Sequence, residues 1–395
     1  MSKSKKPFDF TRFKQRYIAL KILYFGWDYD GLADQDSSEN TIEHYLFQSL
    51  IKTCLIESRQ KCKYNRCGRT DKGVSSHGQV INLCVRSNLI DESDPKNLGL
   101  FTPDGYTGPS CDDTGKKVDE LNFTNMLNNV LPDHIQTIAW APVRKDFSSR
   151  FDCQSRSYCY LFPVGDLCLE SMRIASSYLI GQHDFRNMCS FDLKNGVTTH
   201  TRVIESVDIR PIASISESES STDNPYSFYE IIIVGQAFLY HQIRCIMTIL
   251  FLVASKREKP ELVRDLLDPK RCSSKPNYNR ASSLPLGLFD CKYKPEDLPL
   301  GWQYDIRSVQ NVIRRLRGLW LQYKTKTMLI ERSLSDLEET ATHNGFPVKH
   351  NWKDFGLECD TMSDSKYISI MKRPRDETLE SKLEKFSKKK KNITD

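Results

Sequence analysis

Asp71 lies in the short polar segment Arg66-Cys-Gly-Arg-Thr-Asp-Lys-Gly73, with Gly68 and Gly73 on either side and Arg69 two residues before the carboxylate. An aspartate with an ordinary pKa of about 3.9 is already ionised at neutral pH, so it can serve as a nucleophile or as a general base. A glycine-flanked turn of this kind, seen alone, does no more than reverse the chain while its aspartate caps nearby amides. Here the turn runs directly into Gln79-Val-Ile-Asn-Leu-Cys-Val85, which reads as a strand. A loop anchored to a rigid strand gives its side chains a fixed aim.

Other residues carry chemical options of their own. Tyr158, Tyr160 and Phe162 fall on one face of the expected strand Ser155-Arg-Ser-Tyr-Cys-Tyr-Leu-Phe162. Such aromatics ordinarily pack as core, and Tyr160 is read so. Arg244 stands near the start of the apolar segment from Ile243 to Ala254, which has the composition of a buried helix. A cation there is either a surface salt bridge or the partner of a carboxylate, because an unpaired buried charge is expensive. The chain holds 13 cysteines, an odd count, with no Cys-x-x-Cys pair. Zinc sites usually carry such pairs, so Cys84, Cys159 and Cys245 are read as small buried hydrophobes in a reducing compartment and no metal or other cofactor is expected. Neither a Gly-x-x-x-x-Gly-Lys-Ser/Thr loop nor a Gly-x-Gly-x-x-Gly fingerprint occurs, which leaves a nucleotide-dependent enzyme without support.

These residues need elements to hold them. Tyr17 to Tyr24 alternates as a strand and ends at the turn-like Gly26-Trp-Asp-Tyr-Asp-Gly31. Asn40-Thr-Ile-Glu43 resembles a capping box with Asn40 as N-cap, and Ile42, Leu46, Leu50 and Cys54 predict a helix over about 41–57. Residues 88–115 read as a surface insertion. A helix is expected near 118–130 and a strand near 135–143. A second cycle follows: a strand at 155–162, a helix at 171–180 stopped by Gly181, strands near 203–210 and 228–234 split by a Ser/Glu-rich loop, the apolar helix, and a strand at 286–293. One more helix is expected over 306–323. The order predicts an α+β protein: two ferredoxin-like or RRM-like β-α-β halves forming a mixed, largely antiparallel sheet with flanking helices, plus a C-terminal extension. The expected divisions are a flexible tail over 1–16, halves over 17–145 and 146–295, an accessory extension over 296–370 and a basic disordered tail over 371–395.

The chain has 395 residues, 39% of them hydrophobic and 27% charged, with a formal net charge of +6. That length suits about two to three domains. No apolar run approaches the ~20 residues of a membrane helix, and no apolar stretch follows the basic N-terminus, so an intracellular soluble protein is expected. The modest positive excess is compatible with a polyanionic partner without demanding one. The basic run Lys388 to Lys391, preceded by Lys372, Arg373 and Arg375, is read first as a solvated tail and second as a nuclear-import signal or RNA arm.

Arg66-Cys-Gly-Arg-Thr-Asp-Lys-Gly-Val-Ser-Ser-His-Gly-Gln-Val80 resembles the signature of the TruA-type tRNA pseudouridine synthases. Further blocks match in order: Tyr24-Phe-Gly-Trp-Asp with Thr41-Ile-Glu43, Phe147-x-x-Arg150-Phe151 with Arg156-Ser-Tyr158-x-Tyr160, Gly181-x-His183-Asp184-Phe185, Gly235-Gln-Ala-Phe238-Leu-Tyr-His241-Gln-Ile-Arg244, and Leu284-Pro-Leu-Gly-Leu288. The resemblance covers about residues 17 to 293, and its details are similar to the eukaryotic branch acting at tRNA positions 38/39. It implies an isomerase that breaks the N1–C1′ bond of uridine, turns the uracil and rejoins it through C5. It implies Asp71 as the catalytic carboxylate, Arg244 as its ion-pair partner and Tyr158 as the ring stacked on the target uracil, with a possible part in the C5 proton transfer. Leu288 would pack on the other face of the base. Arg69 would hold the flipped nucleotide or its phosphate. His183 and Asp184 would cap a helix and contact the sugar-phosphate backbone, with His241 supporting the site. His77 departs from the small or apolar residue usual at its place. The implied partners are the anticodon stem-loop of tRNA and a second copy of the chain, with no membrane, and the expected location is nucleus and cytoplasm. A non-catalytic tRNA-binding protein on the same scaffold is the alternative, disfavoured by Asp71, Tyr158 and Arg244 occurring together.

Overall fold

The computed structural model describes residues 7–110, 118–191, 197, 199–212, 224–356 and 366–385. It divides into two compact units, Met1–Gln154 with Leu288–Pro347, and Ser155–Gly287 with Val348–Asp395. The α+β expectation holds: the described residues carry ten strands, antiparallel in every pairing given below, with helices beside them.

In the first unit β1 (Lys14–Tyr24) pairs antiparallel with β3 (Ser75–Ser87), from Lys14 opposite Ser87 to Tyr24 opposite Ser76. The short β2 (Asn65–Arg66) pairs with β3, while β4 (Leu100–Phe101) and β5 (Ile135–Pro142) pair with β1. Strand β10 (Leu286–Lys292) lies next to β3. Both long strands are buried along nearly their whole length. Ile18, Leu20, Ile22, Ile81, Leu83 and Val85 build a core with Leu46 and Leu50 of α1 (Ile42–Lys52) and with Phe123 and Leu127 of α2 (Phe123–Asn128). Each such aliphatic side chain, fully buried, contributes about 1.5–3 kcal/mol.

Several expected boundaries move, each for a local reason. The N-cap of α1 is Thr41, whose hydroxyl accepts from the His44 N–H; Asn40 instead donates its amide to the Asp28 carbonyl. The helix stops at Lys52, five residues short of the expected end, because Cys54 takes a left-handed φ of 52°. Leu55 and Ile56 keep the apolar spacing but are buried from a turn. The helix expected over 118–130 is confined to 123–128, where Asn122 caps its start, and Asn128 exchanges two hydrogen bonds with the Thr137 backbone. From the expected insertion, β4 reaches back to β1, and nearby Glu120 holds buried Arg16 at 2.9 Å.

The last helix of this unit was expected to end at 323 and runs to 343, over Ile306–His343. Its apolar spacing thins out after 323. No proline or glycine interrupts it beyond Gly318, however, and Asn344 with Gly345 at φ 79° ends it.

The second unit orders β6 (Ser155–Pro163), β9 (Phe228–Gly235), β8 (Thr201–Pro211) and β7 (Gly181–Asp184), all antiparallel. Tyr160 and Phe162 of β6 are fully buried, and both rings stand edge-on to Phe251 of α4 (Gln242–Ala254). The helix α3 (Leu169–Ser177) precedes β7; the four-residue β7 and the six-residue α5 (Leu262–Leu267) were too short to be read from spacing. Of the basic segment expected as a tail from 371, residues 371–385 are described. There Arg373 is buried with its Nε on the Ile368 carbonyl, and Leu379 is buried too. The lysine run 388–391 lies outside the described residues. Among the described residues no helix is long and apolar enough to cross a membrane.

Candidate active site

In the first unit the Asp71 loop is clamped between a second loop and the two central strands. The loop following β1 passes so close that a Cβ on Gly26 would meet the Val74 carbonyl oxygen at 2.0 Å and its carbon at 2.5 Å. Gly31, at φ 105°, has Thr70 O, Asp71 C and Lys72 N all within 3.3 Å of the same imaginary Cβ. Only glycine permits this approach. Backbone bonds join the two loops: Leu32 N–H donates to Thr70 O (3.1 Å) and Gly73 N–H to Tyr29 O (3.2 Å). The Gly26 N–H donates to Ser75 Oγ at 3.0 Å, and Lys72 pairs with Asp30 at 2.7 Å.

From the strands, the Tyr24 hydroxyl lies 2.7 Å from Thr70 Oγ1, and Gln79 Nε2 donates to Gly68 O at 2.9 Å. Burial pushes the Tyr24 phenol well above its ordinary range, so it stays a neutral hydrogen-bonding group. The start of the segment is tied down by Glu43, a fully buried carboxylate. It accepts from Arg59 (2.8 Å), from the Tyr64 hydroxyl (2.8 Å), from the Asp34 N–H (3.1 Å) and from Arg66. Asp71 itself is half-buried and its carbonyl accepts from the Val74 N–H at 3.1 Å. Arg69 is exposed. Asp71 is thus a half-buried residue on a turn braced from several sides, a placement compatible with a nucleophile or base.

In the same unit Leu288 is buried, 1% exposed, and its carbonyl accepts from Ser76 Oγ at 3.0 Å. His77 is exposed, its ring tilted against Phe289.

The second unit holds the remaining site residues. Tyr158, opposite Ile233 on β9, is half-buried and meets Phe238 edge-to-face at 5.1 Å. It differs in this from the buried Tyr160, so the shared strand face offers one partly accessible ring. Arg244 is the single residue of α4 that is not buried; the other residues from Gln242 to Ala254 are. Its Nε donates to the Ala281 carbonyl at 2.7 Å, and the Ala281 N–H donates back to the Arg244 carbonyl at 3.2 Å. The helix starts from His241, at a left-handed φ of 60°. His241 Nδ1 lies 2.9 Å from Ser190 Oγ, with Arg280 Nη1 3.0 Å from its Nε2. Burial, then the charges of Arg280 and Arg244, lower its pKa to about 3, so the ring is neutral at physiological pH.

His183 sits on β7 with its Nε2 2.9 Å from the Ile180 carbonyl. Asp184 accepts from the Arg186 N–H at 2.9 Å and pairs with the Arg186 guanidinium; the short 3-10 turn that follows starts from Phe185.

Arg69, Asp71 and Leu288 therefore share one unit, and Tyr158, His183 and Arg244 share the other. The sequence reading did not single out Tyr24, Glu43 and Gln79 as the props of the Asp71 loop, nor Ala281 and Arg280 beside Arg244 and His241. The glycines of the segment 26–31 were the visible signal for the close loop contact. Nor did it foresee that Cys67, Cys153 and Cys291 meet: the sulfur atoms of these three buried residues all lie within 4.8 Å of one another. Of groups with metal-ligand chemistry, this is the cluster that the described residues form.

Known proteins resemble the chain at the level of whole sequence. The profile of the tRNA pseudouridine synthase family matches residues 175–294. The tRNA pseudouridine(38/39) synthase of Mus musculus is 38% identical over 401 residues, spanning 97% of this chain and 79% of that protein. The protein of the same name from Saccharomyces cerevisiae is 35% identical over 403 residues, spanning 99% and 82%. The tRNA pseudouridine synthase A of Methanosarcina mazei is 27% identical over 314 residues, spanning 80% and 97%.

Proposed function

The chain belongs to the tRNA pseudouridine synthase family, and on that premise we propose that it isomerises uridine to pseudouridine in the anticodon arm of tRNA, at the positions 38 and 39 carried in the names of its mouse and yeast relatives. The observation that carries the reading is the rigidly buttressed Asp71 turn in a chain related to those enzymes over nearly its whole length.

In this reading the Asp71 carboxylate acts on the sugar of the target uridine, as nucleophile at C1′ or as base, while the N1–C1′ bond breaks. The uracil then rotates and C5 bonds to C1′, displacing the carboxylate where it had attacked that carbon; the C5 proton is lost and N1 gains one, which restores the ring. Product and substrate have the same atoms, so the balance requires no oxidant or co-substrate. The part that the family resemblance implies for Arg244 is that of a cation that favours the ionised form of the catalytic carboxylate. Its guanidinium suits this because Ala281 fixes it at the rim of a helix that is otherwise apolar. Tyr158 supplies the ring against which the flipped uracil stacks, and its half-buried position beside Phe238 supports that role. Leu288 packs on the other face of the base, Arg69 holds the flipped nucleotide or its phosphate, and His183 contacts the RNA backbone. The working species is a homodimer in nucleus and cytoplasm.

Incubating the protein with unmodified tRNA and mapping pseudouridine at nucleotide resolution tests the substrate assignment. Conversion confined to positions 38 and 39 is expected. Conversion elsewhere, or binding with no conversion at all, would overturn it, and the latter would favour an RNA-binding protein on the same scaffold.

A further inference from the structure

Three cysteines from distant parts of the sequence meet in the first unit. Cys67 directly follows the short β2, Cys153 follows the turn at 148–152, and Cys291 lies on β10. Their sulfur atoms lie within 4.8 Å of one another, and the residues are 2%, 8% and 5% exposed. The backbone around each is fixed. The Cys67 N–H donates to the Val80 carbonyl at 2.8 Å. The Gln154 N–H, next to Cys153, donates to the carbonyl of Lys292, next to Cys291, also at 2.8 Å. Asp152, on the other side of Cys153, accepts from the Ser148 N–H and from Arg144. Convergent sulfurs on fixed backbone are the requirement for a thiolate site that need not rearrange far on binding.

We propose that Cys67, Cys153 and Cys291 form a binding site for a trivalent thiophilic ion, with arsenic(III) as the species it takes. Two arguments select the trivalent state. The first is coordination. A closed structural zinc site takes four ligands, whereas this cluster presents three sulfurs. Arsenic(III) takes three sulfurs on one side and keeps its lone pair on the other. The second is charge. Three thiolates leave two negative charges around a monovalent ion and one around a divalent ion, but none around a trivalent ion. Inside a buried pocket an uncompensated charge is costly. The exchange balances without any redox step: arsenous acid and three thiols give the trithiolate and three waters, the three S–H protons leaving on the three displaced hydroxyl groups. The closeness of the three groups is felt at Cys291, whose thiol is held well above its ordinary pKa by hydrogen bonding with Cys153 and Cys67 and then by burial.

The site has a consequence for the Asp71 loop. Only Gly68, Arg69 and Thr70 separate Cys67 from Asp71, and Gln79 grips the Gly68 carbonyl. Drawing the three sulfurs in toward one ion pulls on the root of that loop. An occupied site should therefore slow turnover, a consequence that rests on the catalytic role given to Asp71, whereas the binding itself does not.

The test uses the full-length reduced protein and sodium arsenite. Native mass spectrometry counts bound arsenic, and alkylation after a denaturing quench, followed by peptide mapping, identifies the protected thiols. One arsenic per chain is expected, with Cys67, Cys153 and Cys291 protected together. Cys291→Ala and Cys153→Ser should each weaken binding at least tenfold, and Cys84→Ser should leave it unchanged. If those variants fail to fold, the thiol map of the wild type still decides. Protection of other cysteines, protection of only two of the three, or no stoichiometric binding would overturn the proposal. Zinc(II) and copper(I) run as parallel arms. Tight binding of either at the three cysteines, undisplaced by arsenite, would overturn the trivalent assignment. Asp71→Asn should bind arsenic as the wild type does, so the inference and the functional reading fail separately.

Discussion

The Asp71 turn and the Arg244 helix solve the same problem, holding a charged group still, by opposite means. Asp71 sits on irregular backbone. Its position comes from glycines that let two loops touch and from neutral hydrogen bonds through Tyr24, Gln79 and Ser75. Arg244 sits on a helix whose other residues are all buried, so apolar packing sets its place while its Nε donates to the Ala281 carbonyl. The loop is intolerant of added atoms; the helix is intolerant of lost ones. The turn leaves Asp71 half-buried beside an exposed Arg69, while regular structure carries the Arg244 cation.

The contrast is sharpest at glycine. In Gly26→Ala the new methyl would lie inside the Val74 peptide, so the loops must separate, at a cost of about 1–3 kcal/mol or more. Lowered thermal stability and near-complete loss of turnover are expected. Gly68→Ala, where a Cβ meets nothing within 4 Å, should leave the melting temperature nearly unchanged. Equal effects for the two substitutions would break the clamp argument. The next effect in size is Arg244→Lys. It keeps the charge but loses the Nε–H to Ala281, a charge-assisted bond worth about 1.5–3 kcal/mol, so turnover should fall roughly tenfold to a hundredfold while the helix stays folded. Circular dichroism beside single-turnover kinetics separates the two. Tyr24→Phe removes the hydroxyl that bonds Thr70 at 2.7 Å and accepts a longer bond from Gln79 at 3.5 Å, and should cost about 1 kcal/mol of stability, measured by denaturant titration.

At neutral pH the smallest expected effect belongs to His241, whose contribution changes only in acid. Its folded pKa of about 3 lies below the ordinary 6.5, so the unfolded chain binds the extra proton between those values. Its stabilising contribution is complete above about pH 6.5 and is lost as pH falls toward 3. His241→Gln should flatten stability against pH within that window. An unchanged profile would mean that the ring is not held neutral by its surroundings.

These examples also mark how far the sequence could be read. Periodicity found β1, β3, β6, β9 and α4, because each buries a face whose pattern is local. It placed Asp71, Tyr158 and Arg244 on a turn, a strand and a helix start, as observed. It misplaced the cap of α1 because Asn40 and Thr41 are equally good caps in isolation, and only the Asp28 carbonyl decides between them. It cut the helix from 306 too short because exposed helical residues carry little apolar signal. Glu43 reads from sequence as part of a capping box, yet it is the buried acceptor for Arg59, Arg66 and Tyr64, partners that only the fold brings near. The Cys67, Cys153 and Cys291 cluster was invisible for the same reason, since its members lie far apart along the chain.

The central claim is that the buttressed Asp71 carboxylate performs the chemistry. Asp71→Asn keeps shape and size while removing the charge, so the direct measurement is tRNA affinity and single-turnover pseudouridine formation by wild type and variant side by side. Affinity within a few-fold of wild type and turnover reduced at least about a thousandfold is the result the account predicts. Turnover within tenfold of wild type would contradict it.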